Sequence, residues 1–166
     1  MSRMRTLAAE PQAVWKVLAD FGALSSWARN VDHSCLLEHG DHGVGVGTSR
    51  RVQVGRNTLV ERVTDVIPGS TLAYDIEGLP HRVRRVANNW ALEPAAQGFT
   101  TVTLTSTVEI GNNPAAHIAE RAVCRLMAKQ SEAMLAGLAQ QVEDRQVEGR
   151  RVEDRQVEDR QVEDRQ

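Results

Sequence analysis

Apolar and polar residues alternate through the middle of the chain. In residues 100–110, Val102 and Leu104 fall on one face, and threonines fall on the other. A period of two predicts a strand with one buried and one solvated face. Similar segments separated by turns at Gly55, Gly69, Gly78 and Gly98 predict an antiparallel meander. The predicted strands are residues 3–8, 32–38, 50–54, 58–67, 71–77, 82–92 and 100–110.

Three other segments have the pattern of helices. Residues 11–19 begin with a proline, which suits the first turn of a helix, and have one apolar side. A second short helix over residues 24–28 carries Trp27. An asparagine–proline pair at Asn113 then opens a long helix that reaches at least Gln141, with apolar residues three and four positions apart. The order is one strand, two short helices, six strands and a long helix.

This order predicts a space inside the protein. An antiparallel sheet with one long helix on one face has to curl in order to cover that helix. An apolar space with a few polar groups is the usual form of a small-molecule site. Strand parity directs Glu61, Tyr74, Asn88 and Trp90 toward it. The predicted ligand-binding residues are Trp27, Arg50, Glu61, Tyr74, Asn88, Trp90, Leu104, Leu126 and Gln130.

Glu61 and Tyr74 each have two interpretations. A buried carboxylate has to be paired or protonated, and Arg50 on the adjacent strand is a partner for Glu61. Alternatively, Glu61 is a general acid or base, and Arg50 binds a carboxylate or enolate of the ligand. Tyr74 either donates a hydrogen bond to a ligand or is a core aromatic residue. A register slip of one residue would exchange Glu61 for Arg62.

The histidine- and glycine-rich segment 39–47 suggests a metal or nucleotide site, and we expect neither. His39, Asp41 and His42 lie in a glycine-rich turn, which gives a metal site no rigid support. No helix follows the glycines to receive a phosphate. Cys124 has no histidine placed to activate it. We therefore expect no metal and no cofactor.

Composition and charge limit the class of protein. The 166 residues are 41% hydrophobic and 25% charged, which indicates one globular domain. A net charge of −2 provides no basic face for nucleic acid. No apolar window is long enough for a membrane span or a secretory signal. We expect a cytoplasmic monomer or homodimer.

The C-terminus is a tandem repeat of VEDRQ units over residues 142–166, with nine acidic and six basic residues. A period of five places the valines about 140° apart on a helix, so they form no stripe. We predict a polar tail, either a frayed helix or disordered, after a domain at residues 1–141.

Several short motifs in a fixed order resemble one known superfamily. They are Pro11-x-x-x-Trp15-x-x-Leu18-x-Asp20, Trp27 with Val31, Gly45-Val46-Gly47-x-x-Arg50, Glu61-x-Val63, Pro68-Gly69-x-x-Leu72-x-Tyr74, and Leu92-x-Pro94 with Gly98. Over residues 2–141 the chain resembles the START/Bet v 1-like superfamily of polyketide cyclases, dehydrases and lipid-transport proteins. The resemblance implies an α+β helix-grip fold, in which a curved seven-stranded antiparallel sheet surrounds the C-terminal helix.

Three functions remain open, because fold alone does not choose among them. The first is binding or transport of a small hydrophobic molecule, such as a lipid, an isoprenoid or a polyketide-like compound. The second is a polyketide cyclase or aromatase in which Glu61 and Tyr74 are the catalytic candidates. The third is a protein-interaction module that works through the acidic tail.

Overall fold

The computed structural model describes residues 1–38, 40, 43–79, 83–110 and 116–163. Within the long helix it describes the side chains of residues 128–152 and of Arg155. The predicted helix cap at Asn113, the segment around His39 and His42, and the side chains of Cys124 and Leu126 lie outside the described residues.

Within the described residues, seven strands form one antiparallel sheet in the order β1-β7-β6-β5-β4-β3-β2. The strands are β1 Ser2–Leu7, β2 His33–Glu38, β3 Ser49–Val54, β4 Asn57–Ile67, β5 Thr71–Glu77, β6 Val83–Pro94 and β7 Thr100–Ile110. The four predicted turn glycines, Gly55, Gly69, Gly78 and Gly98, all have positive φ. Glycine adopts that conformation without the steric cost of a Cβ atom. The predicted fold class, a curved antiparallel sheet with a long C-terminal helix, is confirmed.

The first helix, α1, spans Pro11–Ala19 as predicted, and a 3₁₀ helix follows over Phe21–Ser26. The second helix therefore lies about three residues earlier than the predicted 24–28. Ser34 of β2 explains the shift, because its hydroxyl accepts a hydrogen bond from the Ser25 N–H and donates one to the Gly22 carbonyl. These bonds fix the 3₁₀ turn against the sheet.

The long helix, α2, runs from Ala116 to Glu163 and so includes most of the repeat. Its buried face ends at Val142, which is 2% exposed, whereas Val147 and Val152 are about half exposed. This agrees with a five-residue period that rotates successive valines off the apolar face. None of the helices in the described part of the chain is long and apolar enough to cross a membrane.

The core lies between the concave face of the sheet and the helices. Val63, Leu72, Trp90 and Val102 from the sheet are buried together with Leu138 of α2. Strand parity is as predicted. Close packing of α2 requires a glycine at position 137, because a Cβ atom there would collide with the carbonyl oxygen of Trp27.

Candidate functional site

A cavity of about 470 Å³ lies between the sheet and α2. Small-molecule sites usually have volumes of about 300–1,000 Å³. Strands β3 to β7, the segment after the 3₁₀ helix and one face of α2 all contribute to its wall. The apolar lining includes Leu24, Val52, Ile76, Val86 and Met134. The polar lining consists of Asn30, Asn57, Glu61, Asn88, Ser106, Gln130 and Ser131.

Glu61 is buried on this wall and pairs with Arg50. The two residues lie directly opposite each other in the register of β3 and β4. Arg50 donates from Nε and from Nη2 to the same carboxylate oxygen, Glu61 Oε2, at 2.6 and 2.5 Å. The side chains are only 4% and 7% exposed. The structure thus contains the ion pair that was one of the two interpretations of Glu61.

Arg50 is occupied on its other sides as well. Its Nη1 donates to the carbonyl oxygen of Phe21 at 2.7 Å. Its guanidinium carbon lies 3.9 Å from the centre of the Phe21 ring and 5.1 Å from the centre of the Tyr74 ring. These are cation–π distances. Arg50 is not part of the cavity wall, because Glu61 and the aromatic rings enclose it.

A chain of hydrogen bonds, which we call the polar ladder, consists of Tyr74, Asn88, Ser106 and Ser131 and runs from β5 to α2. Asn88 Nδ2 donates to Tyr74 Oη at 3.3 Å, and Ser106 Oγ donates to Asn88 Oδ1 at 2.7 Å. Ser106 Oγ also lies 3.3 Å from Ser131 Oγ. The register causes this alignment, since Tyr74 faces Asn88 and Asn88 faces Ser106.

Tyr74 lies at the closed end of the ladder. Its hydroxyl oxygen also accepts a hydrogen bond from Trp90 Nε1 at 3.4 Å. Burial, followed by the charge of Glu61, raises the pKa of Tyr74 to about 12. The phenol therefore stays protonated across the physiological pH range.

The structure divides the predicted site residues into two groups. Glu61, Asn88 and Gln130 lie on the cavity wall. The others with described side chains are buried but do not line the cavity, and they are Trp27, Arg50, Tyr74, Trp90 and Leu104. Their assignment as ligand-binding residues stays a prediction.

Four polar wall residues are missing from the sequence-based prediction, and they are Asn30, Asn57, Ser106 and Ser131. Asn57 is the first residue of β4 and lies just outside the predicted strand 58–67. Ser106 occupies an inward position of β7 between Leu104 and Val108. A polar residue at that point of the apolar alternation could have identified it from the sequence. Ser131 interrupts the apolar stripe of α2 in the same way. Asn30 lies in a loop without periodicity, and its sequence context gave no signal.

Among the described residues, no group of three or more His, Cys, Asp or Glu side chains is arranged to hold a metal ion. The polar side-chain groups on the cavity wall are amides, hydroxyls and one carboxylate. Such a set is suited to hydrogen bonding with an organic ligand.

The sheet, the enclosed helix and the cavity define a helix-grip domain of the ligand-binding type. A comparison with protein families matches residues 1–143 to the family described as polyketide cyclase / dehydrase and lipid transport. The chain belongs to this family. No curated protein matches the sequence.

Solved structures with similar folds include an aromatase/cyclase from Streptomyces sp. R1128, with a TM-score of 0.74 and 21% identity over 87% of this chain and 93% of that one. A solution structure from Thermobifida fusca has a TM-score of 0.71 and 21% identity, covering 86% and 91% of the two chains. A START superfamily protein from Mycobacterium smegmatis has a TM-score of 0.67 and 15% identity, covering 87% and 97%. At these identities the likeness shows the fold alone.

Proposed function

We propose that this protein binds a small, mostly apolar molecule in the cavity between the sheet and α2. The observation that carries the proposal is the cavity of about 470 Å³, which has a largely aliphatic lining and several polar groups. Burial of apolar ligand surface would supply the affinity, at roughly 25 cal/mol per Å² before the costs of association. Glu61, Asn88 and Gln130 would fix the orientation.

The first test identifies what the purified protein carries. Native mass spectrometry of the full chain, followed by organic extraction, is expected to show a bound molecule with a defined mass. Titration with the neutral dye Nile red tests the cavity in protein from which that molecule has been removed. We expect the dye fluorescence to rise and saturate at one dye per chain.

A cavity-filling variant makes this test specific. Val86 lies on the inner face of β6 and lines the cavity. We expect Val86→Trp to weaken Nile red binding by roughly tenfold or more, because the indole occupies ligand space. The matched control is Asn89→Trp, which changes an exposed residue of the same strand. Equal binding by the two variants would place the dye outside the cavity.

A second candidate function is proton transfer catalysed by Glu61. The observation that favours it is a carboxylate on the wall of an apolar cavity, the position that a general base requires. Tyr74 is a weaker candidate, since its hydroxyl lies behind the wall and its raised pKa of about 12 disfavours proton release. Arg50 is fully engaged with Glu61 and Phe21.

The catalytic candidate is tested with a synthetic poly-β-ketone thioester, with cyclised products followed by liquid chromatography and mass spectrometry. If Glu61 moves the proton, Glu61→Gln loses turnover by roughly a hundredfold or more and keeps Nile red binding. Equal turnover by the variant and the wild type would exclude this role for Glu61. The control is Glu77→Gln, which removes an exposed carboxylate that pairs with Arg62.

A further inference from the structure

Two acceptor oxygens at the cavity have no donor among the described residues. Both hydrogen bonds from Arg50 end on Glu61 Oε2, which leaves Glu61 Oε1 without a donor in this part of the chain. The side-chain oxygen of Asn30 is buried and also lacks a hydrogen-bond partner among the described residues. Both residues line the same cavity. A buried acceptor without a donor, such as Asn30 Oδ1, is unfavourable, and Glu61 Oε1 is the carboxylate oxygen to which Arg50 does not donate, so a ligand that supplies a donor gains affinity at these oxygens.

The charge on the cavity wall is one-sided. Among the described lining residues, Glu61 is the only one with a formal charge, and no lysine, arginine or histidine faces the cavity. The cation that balances Glu61 is Arg50, which is held behind the wall by the Phe21 carbonyl and ring. A ligand carboxylate would therefore lose its hydration and meet a like charge, with no described cation within the cavity to pair with it.

A cationic ligand is disfavoured for a different reason. The charge of Glu61 is already compensated by two hydrogen bonds from Arg50. The Arg50–Glu61 pair is neutral as a whole, although its negative end faces the cavity, so a buried cation would lose its hydration without gaining a counter-ion of its own. A neutral hydroxyl avoids both costs. It can still donate to Glu61 Oε1, and hydrogen bonds to an ionised acceptor are stronger than neutral ones.

We propose that the cavity selects neutral, hydroxyl-bearing apolar molecules and rejects carboxylates, fatty acids among them. The hydroxyl donates to Glu61 Oε1, and a second donor on the ligand, where present, reaches Asn30 Oδ1. This inference rests on the proposed function, because it requires that the ligand occupies the same cavity.

Three naphthalenes of similar size test the proposal: naphthol, its methyl ether and naphthoate, each substituted at the same ring carbon. Their displacement of Nile red from the full chain is measured at neutral pH, where naphthol is uncharged and naphthoate is an anion. We expect naphthol to bind about tenfold more tightly than its ether, which lacks the donor. We expect naphthoate to bind most weakly, about tenfold or more below the methyl ether.

Substitutions at the ion pair separate this effect from the general cost of burying an anion. In Glu61→Gln the advantage of naphthol over naphthoate should shrink at least about fivefold, since the like charge is gone. Arg50→Met/Glu61→Gln provides the same readout without an unpaired buried arginine, should the single variant fail to fold. Glu38→Gln removes an exposed carboxylate that does not line the cavity and should leave the ratio unchanged.

Each outcome is decisive. Naphthoate binding as tightly as naphthol would overturn the charge selection and leave the proposed function intact. Equal binding of naphthol and its ether would overturn the donor requirement. A ratio that is the same in the wild type and the ion-pair variants would show that Glu61 does not select the ligand. If Nile red itself does not bind, the proposed function fails, and this inference fails with it. If the dye binds and none of the three displaces it, this inference alone fails.

Discussion

Glu61 and Arg62 are consecutive residues of β4, and their ion pairs lie on opposite faces of the sheet. On the inner face, Glu61 pairs with Arg50, and the two side chains are 7% and 4% exposed. On the outer face, Arg62 pairs with Glu38 and Glu77, and all three side chains are 39–64% exposed. The distances are similar, since Arg62 Nη1 lies 2.6 Å from Glu38 Oε2. The two clusters thus differ mainly in their access to water.

This difference determines what each cluster contributes to the protein. An exposed ion pair gains little, because its members are almost as stable in water alone and salt screens their attraction. In a buried pair each member depends on the other, because an uncompensated charge in the interior is very unfavourable. The inner pair also leaves Glu61 Oε1 without a donor among the described residues, whereas the outer cluster is exposed to solvent. Four predictions extend the contrast between the inner and outer faces.

The largest effect is expected from removal of the buried carboxylate. Glu61→Leu leaves the Arg50 guanidinium buried without its counter-ion, and we expect a loss of about 3–5 kcal/mol in the free energy of unfolding. Urea denaturation of the full chain measures this loss. Arg62→Leu, one residue further along the strand, is the matched control, and its midpoint should stay close to that of the wild type.

The double variant Arg50→Leu/Glu61→Leu shows whether the loss comes from the unpaired charge. Replacement of both partners by apolar residues is often neutral or stabilising, so the double variant should regain most of the stability. A double variant as unstable as Glu61→Leu would mean that packing around Phe21, and not charge, dominates this region.

The second prediction concerns alkaline pH and the inner face. Tyr74 is the only tyrosine in the chain, so tyrosinate absorbance reports this residue alone. Burial raises its pKa from 10.0 to about 12, so the unfolded chain loses the phenol proton at a lower pH than the folded chain. The stability that the protonated Tyr74 phenol contributes to the folded state is fully present below about pH 10. It is lost as the pH rises toward about 12.

Absorbance and circular dichroism are recorded together in an alkaline titration. We expect tyrosinate to appear only above about pH 11, at the same pH as unfolding or later. Ionisation near pH 10 with intact secondary structure would show that water reaches the hydroxyl, which contradicts its position behind the cavity wall.

The third prediction compares hydroxyl groups on the two faces. Tyr74→Phe removes the acceptor for Asn88 Nδ2 and Trp90 Nε1, and we expect a loss of about 1–3 kcal/mol because two buried donors lose their partner. On the outer face, the hydroxyl of Thr105 contacts that of Ser2 at 2.8 Å. Thr105→Val should change stability by less than about 0.5 kcal/mol. Equal losses would mean that burial does not separate the two positions.

The fold and the orientation of the strands follow directly from local patterns. A period of two is a property of each strand alone, and it identified Glu61, Tyr74, Asn88 and Trp90 as inward-facing residues. The glycine turns likewise depend on local backbone conformation. For this reason the sheet and its inner face could be predicted from the sequence.

The division between wall and core could not be predicted in this way. Tyr74 and Asn88 share an inner face, yet Asn88 lines the cavity and Tyr74 lies behind it. Tyr74 lies behind the wall because the sheet curves and because Phe21 and the Arg50 guanidinium pack against its ring. These are contacts between residues far apart in the sequence. The polar ladder depends on the same long-range register, which brings Ser106 beside Asn88.

The smallest expected effect is on the outer face, where the charges shift a pKa but hardly change stability. Hydrogen bonds from Arg62 and Ser49 lower the pKa of Glu38, so its contribution is present at neutral pH and is lost as the pH falls below about 4.5. A carbon-NMR titration of the carboxyl groups measures this shift. Arg62→Gln should return the pKa of Glu38 most of the way to its ordinary value, and so should high salt, because the group is exposed to solvent.

The urea midpoint of Arg62→Gln should remain close to that of the wild type at neutral pH. A clear fall in that midpoint would mean that the outer cluster also depends on its partners, and access to water would then no longer explain the difference between the two faces.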